Sequence, residues 1–149
     1  MRALLTAALL AAFFAPTASA APHAQRSAAF EPAACMFDLA PGVREGEDVE
    51  CGYLTVPEQH ARPDGPTIQL AVAIVKSHDP NRRPDPLVML QGGPGGSTID
   101  LFSQALFLPP ADALRADRDI VLFDQRGTLY SKPSLACPED IALVERTIE

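Results

Sequence analysis

Leu87-Val88-Met89-Leu90-Gln91-Gly92-Gly93-Pro94-Gly95-Gly96 is the stretch on which the reading of this chain turns. Four apolar residues run straight into a cluster of glycines. An apolar run of that length predicts a strand buried on both faces, as in a parallel sheet. The glycines permit a tight turn and leave backbone N–H groups with no side chain over them. Pro94 stiffens that turn. Ser97 stands as an N-cap, and Thr98–Leu108 reads as a helix. Ile99, Phe102 and Leu106 form one apolar line on it and Leu101, Ala105 and Leu108 a second, which predicts burial on more than one side. Strand, glycine turn and helix together aim backbone N–H groups at a negative charge. Two readings compete: a cradle for a phosphate, or an oxyanion hole for acyl transfer.

Downstream, Ala111–Arg118 reads as a short polar helix or turn, and Asp119 and Asp124 bracket the apolar strand 120–123. Strand, helix and strand over this length predict a parallel βαβ crossover. Asp124-Gln125-Arg126-Gly127-Thr128 then leaves the carboxyl end of the second strand, the edge at which open α/β sheets bind ligands. Upstream, Val49–Val56 is rich in strand formers, and Ile68, Leu70, Val72 and Ile74 alternate over Thr67–Val75. With Pro63-Asp64-Gly65-Pro66 between them, the two predict an antiparallel hairpin with a long loop. Pro138–Glu149 begins a last helix, with Glu139 and Asp140 in its first turn.

The length, 149 residues, suits one small domain. Residues 1–20 read as a signal peptide: Arg2, an apolar run over 3–15, and Ala18-Ser19-Ala20 as the cleavage site. Cleavage after Ala20 implies a secreted or periplasmic protein with no membrane association once the signal is removed. Residues 21–48 read as leader and loop, and 49–149 as the structured region. The formal charge of −7 becomes one unit more negative without Arg2. Such a balance argues against nucleic-acid and anionic-membrane partners. Export permits disulfides. Of three cysteines, Cys35 and Cys51 are close enough in sequence to close a small loop, leaving Cys137 over. No metal-ligand spacing is present, and no cofactor is expected. His60 and His78 sit in loops without partner motifs and read as surface residues.

A P-loop is excluded, because no Lys follows the glycines. A dinucleotide-binding turn would have Asp124 as its ribose acid, but Thr98 occupies its third glycine position and Pro94 removes an N–H from the turn. The oxyanion reading accounts for more, since α/β-hydrolases take one oxyanion N–H from the loop after their third strand. Gln91-Gly92-Gly93-Pro94-Gly95-Gly96-Ser97 resembles the HGGPG-type motif of prolyl aminopeptidases and related secreted tripeptidyl aminopeptidases. Glu50-Cys51-Gly52-Tyr53-Leu54-Thr55-Val56-Pro57-Glu58 resembles that family's opening strand. Asp124-Gln125-Arg126-Gly127-Thr128 resembles its turn after strand four, and Leu135-Ala136-Cys137-Pro138-Glu139 the segment beyond. The resemblance runs over about residues 49–140.

It implies the N-terminal part of an α/β-hydrolase, an antiparallel hairpin followed by a parallel βαβ unit. It also implies a serine peptidase that releases short N-terminal peptides through an acyl-enzyme. Gly93 is then the oxyanion N–H donor, a contribution typically worth about 3 kcal/mol in the transition state. Gly92, Pro94, Gly95 and Gly96 shape the loop, and Asp124 and Arg126 brace the edge. Two positions depart from the family pattern. Gln91 replaces a His, and Leu129 replaces a Gly, which would be strained if φ > 0 were required there. No Gly-x-Ser-x-Gly elbow occurs in the chain, and the fold's order of Ser, acid, His places the triad after Glu149. Ser97, Ser103, Ser131 and Ser134 are not nucleophile candidates. The chain itself is therefore expected to be inactive and, with strand 87–90 at an open edge, prone to aggregate. A small secreted module that binds an anion or nucleotide through its glycine loop is the alternative.

Overall fold

A computed structural model describes residues 28–137 and residue 139. The expected signal peptide, residues 21–27 of the leader, and the helix expected from Pro138, Glu139 apart, lie outside the described residues. Five strands form one mixed sheet: β1 (Ala29–Pro32), β2 (Val49–Pro57), β3 (Thr67–Val75), β4 (Leu87–Met89) and β5 (Ile120–Phe123). Their order is β1-β2-β3-β5-β4. All neighbours are antiparallel except β4 and β5, which run parallel. Between those two lie helix α1 (Thr98–Phe102) and the 3-10 turns Ala105–Phe107 and Ala111–Arg115.

The hairpin follows from the period-two pattern of its residues. β2 and β3 pair continuously from Val49 opposite Val75 to Pro57 opposite Thr67. Alternation puts Val49, Cys51, Ala71, Ala73, Val75, Ile120 and Leu122 on one face, where Ile99 and Leu106 complete the core. Met36, Phe37, Leu39 and Val43, from the segment before β2, pack at the margin of that core. A disulfide between Cys35 and Cys51 ties this segment to β2. On the opposite face Leu54, Leu70, Ile74, Val121 and Phe123 are only half-buried.

Four expectations need correction. β4 is not buried on both faces: Leu87 is 40%, Val88 51% and Leu90 60% exposed. It is the outer strand, with β5 on one side only and little packed above or below, so apolar sequence alone did not secure burial. The helix expected over 98–108 stops at Phe102, and a 3-10 turn follows. Its second apolar line is not buried, since Leu101 is 50% and Leu108 61% exposed. Within 21–48, expected to be leader and loop, Ala29–Pro32 pairs with β2 as a further strand. Leu129 carries no strain: among the described residues every positive φ belongs to glycine, and Gly127 (φ 78°) takes that conformation in this turn.

Gly52 explains how β1 lies so close. A Cβ there would come within 2.3 Å of the Glu31 carbonyl oxygen and 2.7 Å of the Phe30 ring. Gly52→Ala is expected to push β1 off the sheet edge and cost about 1–3 kcal/mol, the usual range for overpacking. Hydrogen exchange checks this: the Ala33 amide, which donates to the Cys51 carbonyl, should lose protection while the β2–β3 ladder keeps its own.

The 3-10 turns are fastened to the sheet by charge. Arg115 is 8% exposed; its guanidinium donates to Asp112 and to the Lys76 carbonyl and lies 4.7 Å from the Phe107 ring centroid. Asp112 also meets His78 Nε2 at 2.9 Å. Arg115 first, then His78, holds the Asp112 carboxyl below the usual carboxylate range. His78, expected to lack a partner, is exposed and paired with Asp112.

Candidate functional site

The turn after β5 and the loop after β4 meet because their strands are parallel neighbours and both chains leave at the carboxyl ends. Ser97 caps α1 as its sequence position predicts, accepting a hydrogen bond from the Asp100 amide at 2.9 Å. Its hydroxyl also donates to Asp124, with both carboxylate oxygens at 2.9 Å. Asp124 is completely buried. It accepts two further bonds, from the Ile99 amide at 3.2 Å and the Tyr130 amide at 3.3 Å. One carboxylate therefore joins the glycine loop, the first turn of α1 and the segment beyond β5.

Two more bonds close the loop. The Gln91 amide donates to Thr98 Oγ1 at 3.0 Å, and Gln125 Nε2 donates to the Gln91 carbonyl at 3.3 Å. Ser131 locks the base: its hydroxyl donates to the Asp124 carbonyl and accepts from the Ala71 amide. Nothing local in the sequence marks Ser97 for its bond to Asp124 or Ser131 for its bond to Ala71, because these partners lie 27 and 60 residues away.

Gly92, Gly93, Pro94 and Gly95 are exposed, and Gly96 is half-buried. Among the described residues, the backbone N–H groups of Gly92, Gly93, Gly95 and Gly96 donate no intramolecular hydrogen bond. Gly93 has φ 152°, and a Cβ there would sit 3.0 Å from the Gly96 nitrogen and 3.1 Å from the Gly95 nitrogen. A side chain at 93 would therefore crowd the free N–H groups, which is a reason for glycine at this position. Such unpaired N–H groups suit an oxygen that carries negative charge.

The ribose role once open to Asp124 does not fit. A ribose-binding acid must present its carboxylate to a ligand, whereas this one is buried and takes three donors from the chain itself. Arg126 is exposed, and its Nη1 donates to the Glu58 carbonyl at 2.5 Å, linking this turn to the end of β2. A cleft of about 410 Å³ opens beside the loop, lined by Gly95, Gln125, Arg126, Leu129 and Leu135 among others. Among the described residues no three His, Cys, Asp or Glu side chains gather as a metal site requires. Cys137 is free and exposed.

Tyr130 lies at the same edge, with its hydroxyl 3.4 Å from Asp100. Burial, and then the Asp100 carboxylate, push the phenol above its ordinary value of 10.0. A pKa raised on folding means that the folded state holds the proton more tightly than the unfolded chain. The associated stability is complete below pH 10 and is lost as pH rises through the folded value. The chain has two tyrosines, so a Tyr53→Phe variant reports Tyr130 alone. Its phenolate absorbance is expected to appear with a midpoint above 10, and a midpoint at or below 10 would contradict the burial argument.

No family model matches the chain. Among known proteins it is similar to the tripeptidyl aminopeptidase of Streptomyces coelicolor, with 37% identity over 87 residues, or 57% of this chain and 16% of that protein. It is similar to carboxylesterase B of Mycobacterium tuberculosis, with 35% identity over 91 residues, or 60% of this chain and 17% of the relative. Serine protease Hip1 of the same species is 33% identical over 90 residues, again 60% of this chain and 17% of the relative. The chain spans about a sixth of the length of the curated relatives it matches. They carry three different hydrolase names, so the similarity supports a hydrolase-type fragment without selecting one substrate.

Proposed function

We propose that this chain is the front part of an exported serine hydrolase of the α/β-hydrolase type, acting on the N-termini of short peptides. In this reading Gly93 donates its backbone N–H to the oxyanion of the tetrahedral intermediate. The neighbouring glycines keep the loop open, and Asp124 holds it in place. The nucleophilic Ser, its acid and its His come from sequence beyond residue 149, the Ser on a strand beside β4. Export follows from the reading of residues 1–20 as a cleaved signal. The observation that carries the proposal is a loop of glycine N–H groups, exposed over Gly92–Gly95 and unpaired among the described residues, braced by a buried carboxylate at the carboxyl ends of two parallel strands.

A hydrolase built this way contributes the oxyanion hole early in the sequence and the nucleophile later. The chain of 149 residues alone then has no acyl-transfer activity. The test pairs two polypeptides, this chain and a longer one reading on through the coding DNA past Glu149. The longer protein is expected to react with a fluorophosphonate and to release a fluorophore from a tripeptide amide, while this chain does neither. Labelling of this chain alone, or no Gly-x-Ser-x-Gly downstream, would overturn the proposal. If labelling succeeds but esters are cleaved and tripeptide amides are not, the reaction class survives and the peptidase assignment fails.

A further inference from the structure

Arg44, Arg82, Arg83, Arg115 and Arg118 each pair with a carboxylate. Arg126, on the rim of the candidate site, pairs with none among the described residues. Among the described residues its one bond is from Nη1 to the Glu58 carbonyl, and no described residue meets the Nε and Nη2 edge. That edge is the one a carboxylate meets with two parallel hydrogen bonds. Arg126 lines two adjoining recesses, the cleft of about 410 Å³ that reaches Gly95 and a smaller one of about 160 Å³ that reaches Ile68 and Pro133. Gly127 and Leu135 line both as well. The remaining walls of the larger cleft are apolar at Leu129, Leu135 and Ala136 and polar at Gln125, Thr128 and Ser134.

A cationic fork beside apolar walls matches a group that carries a carboxylate and an apolar side chain on one carbon. The geometry points to Arg126 as a specificity-determining residue that takes the C-terminal carboxylate of a short peptide, with the terminal side chain against Leu129 and Leu135. A terminal carboxylate belongs to the peptide backbone, so anchoring it also sets how much peptide lies between Arg126 and the glycine loop. A side-chain carboxylate would offer the fork its charge but leave the apolar walls uncovered. The chain is acidic overall, at −7, so a long-range field does not gather anions here, and recognition rests on this local fork. The inference rests on the reading of the glycine loop as facing a peptide substrate.

Saturation-transfer NMR on the whole chain tests it, since that readout works whatever the assembly state. The probes are N-acetyl-alanyl-leucine, its C-terminal amide, and the C-terminal amide of N-acetyl-alanyl-aspartate. The acid is expected to bind at least about tenfold more tightly than either amide, the scale of one charge-assisted pair. Arg126→Gln should erase that preference, and Arg126→Lys, which keeps the charge but not the fork, should retain only part of it. Arg62→Gln, in the hairpin loop where Arg62 bonds to Gln59, should leave it unchanged. Equal binding of acid and amide, no binding of the acid, or an unaltered preference in Arg126→Gln would each overturn the inference. Tight binding of the aspartyl amide would also do so, by assigning the fork to side-chain carboxylates. Fluorophosphonate labelling of the longer protein judges the hydrolase reading separately, so either idea can fail while the other stands.

Discussion

Asp124→Ala is expected to cost about 4 kcal/mol of folding stability and to release the glycine loop. The substitution leaves the Ser97 hydroxyl and the Ile99 and Tyr130 amides without their acceptor. Each buried donor left unpaired costs roughly 1–3 kcal/mol. Three such donors give about 3–9 kcal/mol, and the sum falls in the lower half because the two amide bonds are long and two of the donors are only part-buried. Urea unfolding followed by circular dichroism gives the loss directly. Asp124→Asn keeps the shape but turns one acceptor into a donor facing donors, so it should lose about half as much. In the proposed longer hydrolase both variants should lower kcat more than they raise KM, because in that reading the glycine loop acts in the transition state. A variant as stable as the parent would mean that Ser97 and Ile99 find other acceptors, and that the carboxylate is not what holds the loop.

Removing the disulfide should be nearly as damaging. Cys35 and Cys51 are separated by 16 residues, and a closed loop of about that length is worth roughly 3 kcal/mol through the entropy of the unfolded chain. A second loss comes from the folded side. The segment that the bridge holds down carries Met36, Phe37, Leu39 and Val43 over the margin of the core, and these contacts loosen with it. A Cys35→Ser, Cys51→Ser double variant, or the parent under reducing conditions, should melt well below the oxidised protein. Equal melting temperatures would show that packing alone retains the segment.

The hairpin and β5 were legible because period two, turn residues and flanking aspartates all agree there. Thr67–Val75 forms over the range its alternation predicts. The capping role of Ser97 was legible for a similar reason, being set by residues next to it in sequence. What was not legible depends on distant partners. Ala29–Pro32 carries a proline and only four residues, and it forms a strand because Gly52 lets Phe30 lie over β2. Leu87–Met89 looked like a buried strand because its residues are apolar, but burial is a property of the neighbours, and β4 has one. Helix α1 ended early although its apolar spacing continued, the chain tightening into a 3-10 turn at Ala105. Asp124 was found as a strand-terminal acid on the binding edge, while its bond to Ser97 joins residues 27 apart and has no local signature.

The strand order has a consequence for how the protein is made. β5 lies between β3 and β4, so on the ribosome β4 emerges before the strand that must attach it to the sheet. The glycine loop likewise leaves the ribosome before Asp124, the group that fixes its shape. At synthesis rates of about 5–20 residues per second, that interval lasts on the order of a few seconds. Throughout it, Leu87, Val88 and Leu90 have no strand to join, and the glycines have no brace. A chaperone that recognises extended apolar segments would find β4 still unpaired throughout this interval, and would have to let go when β5 arrives.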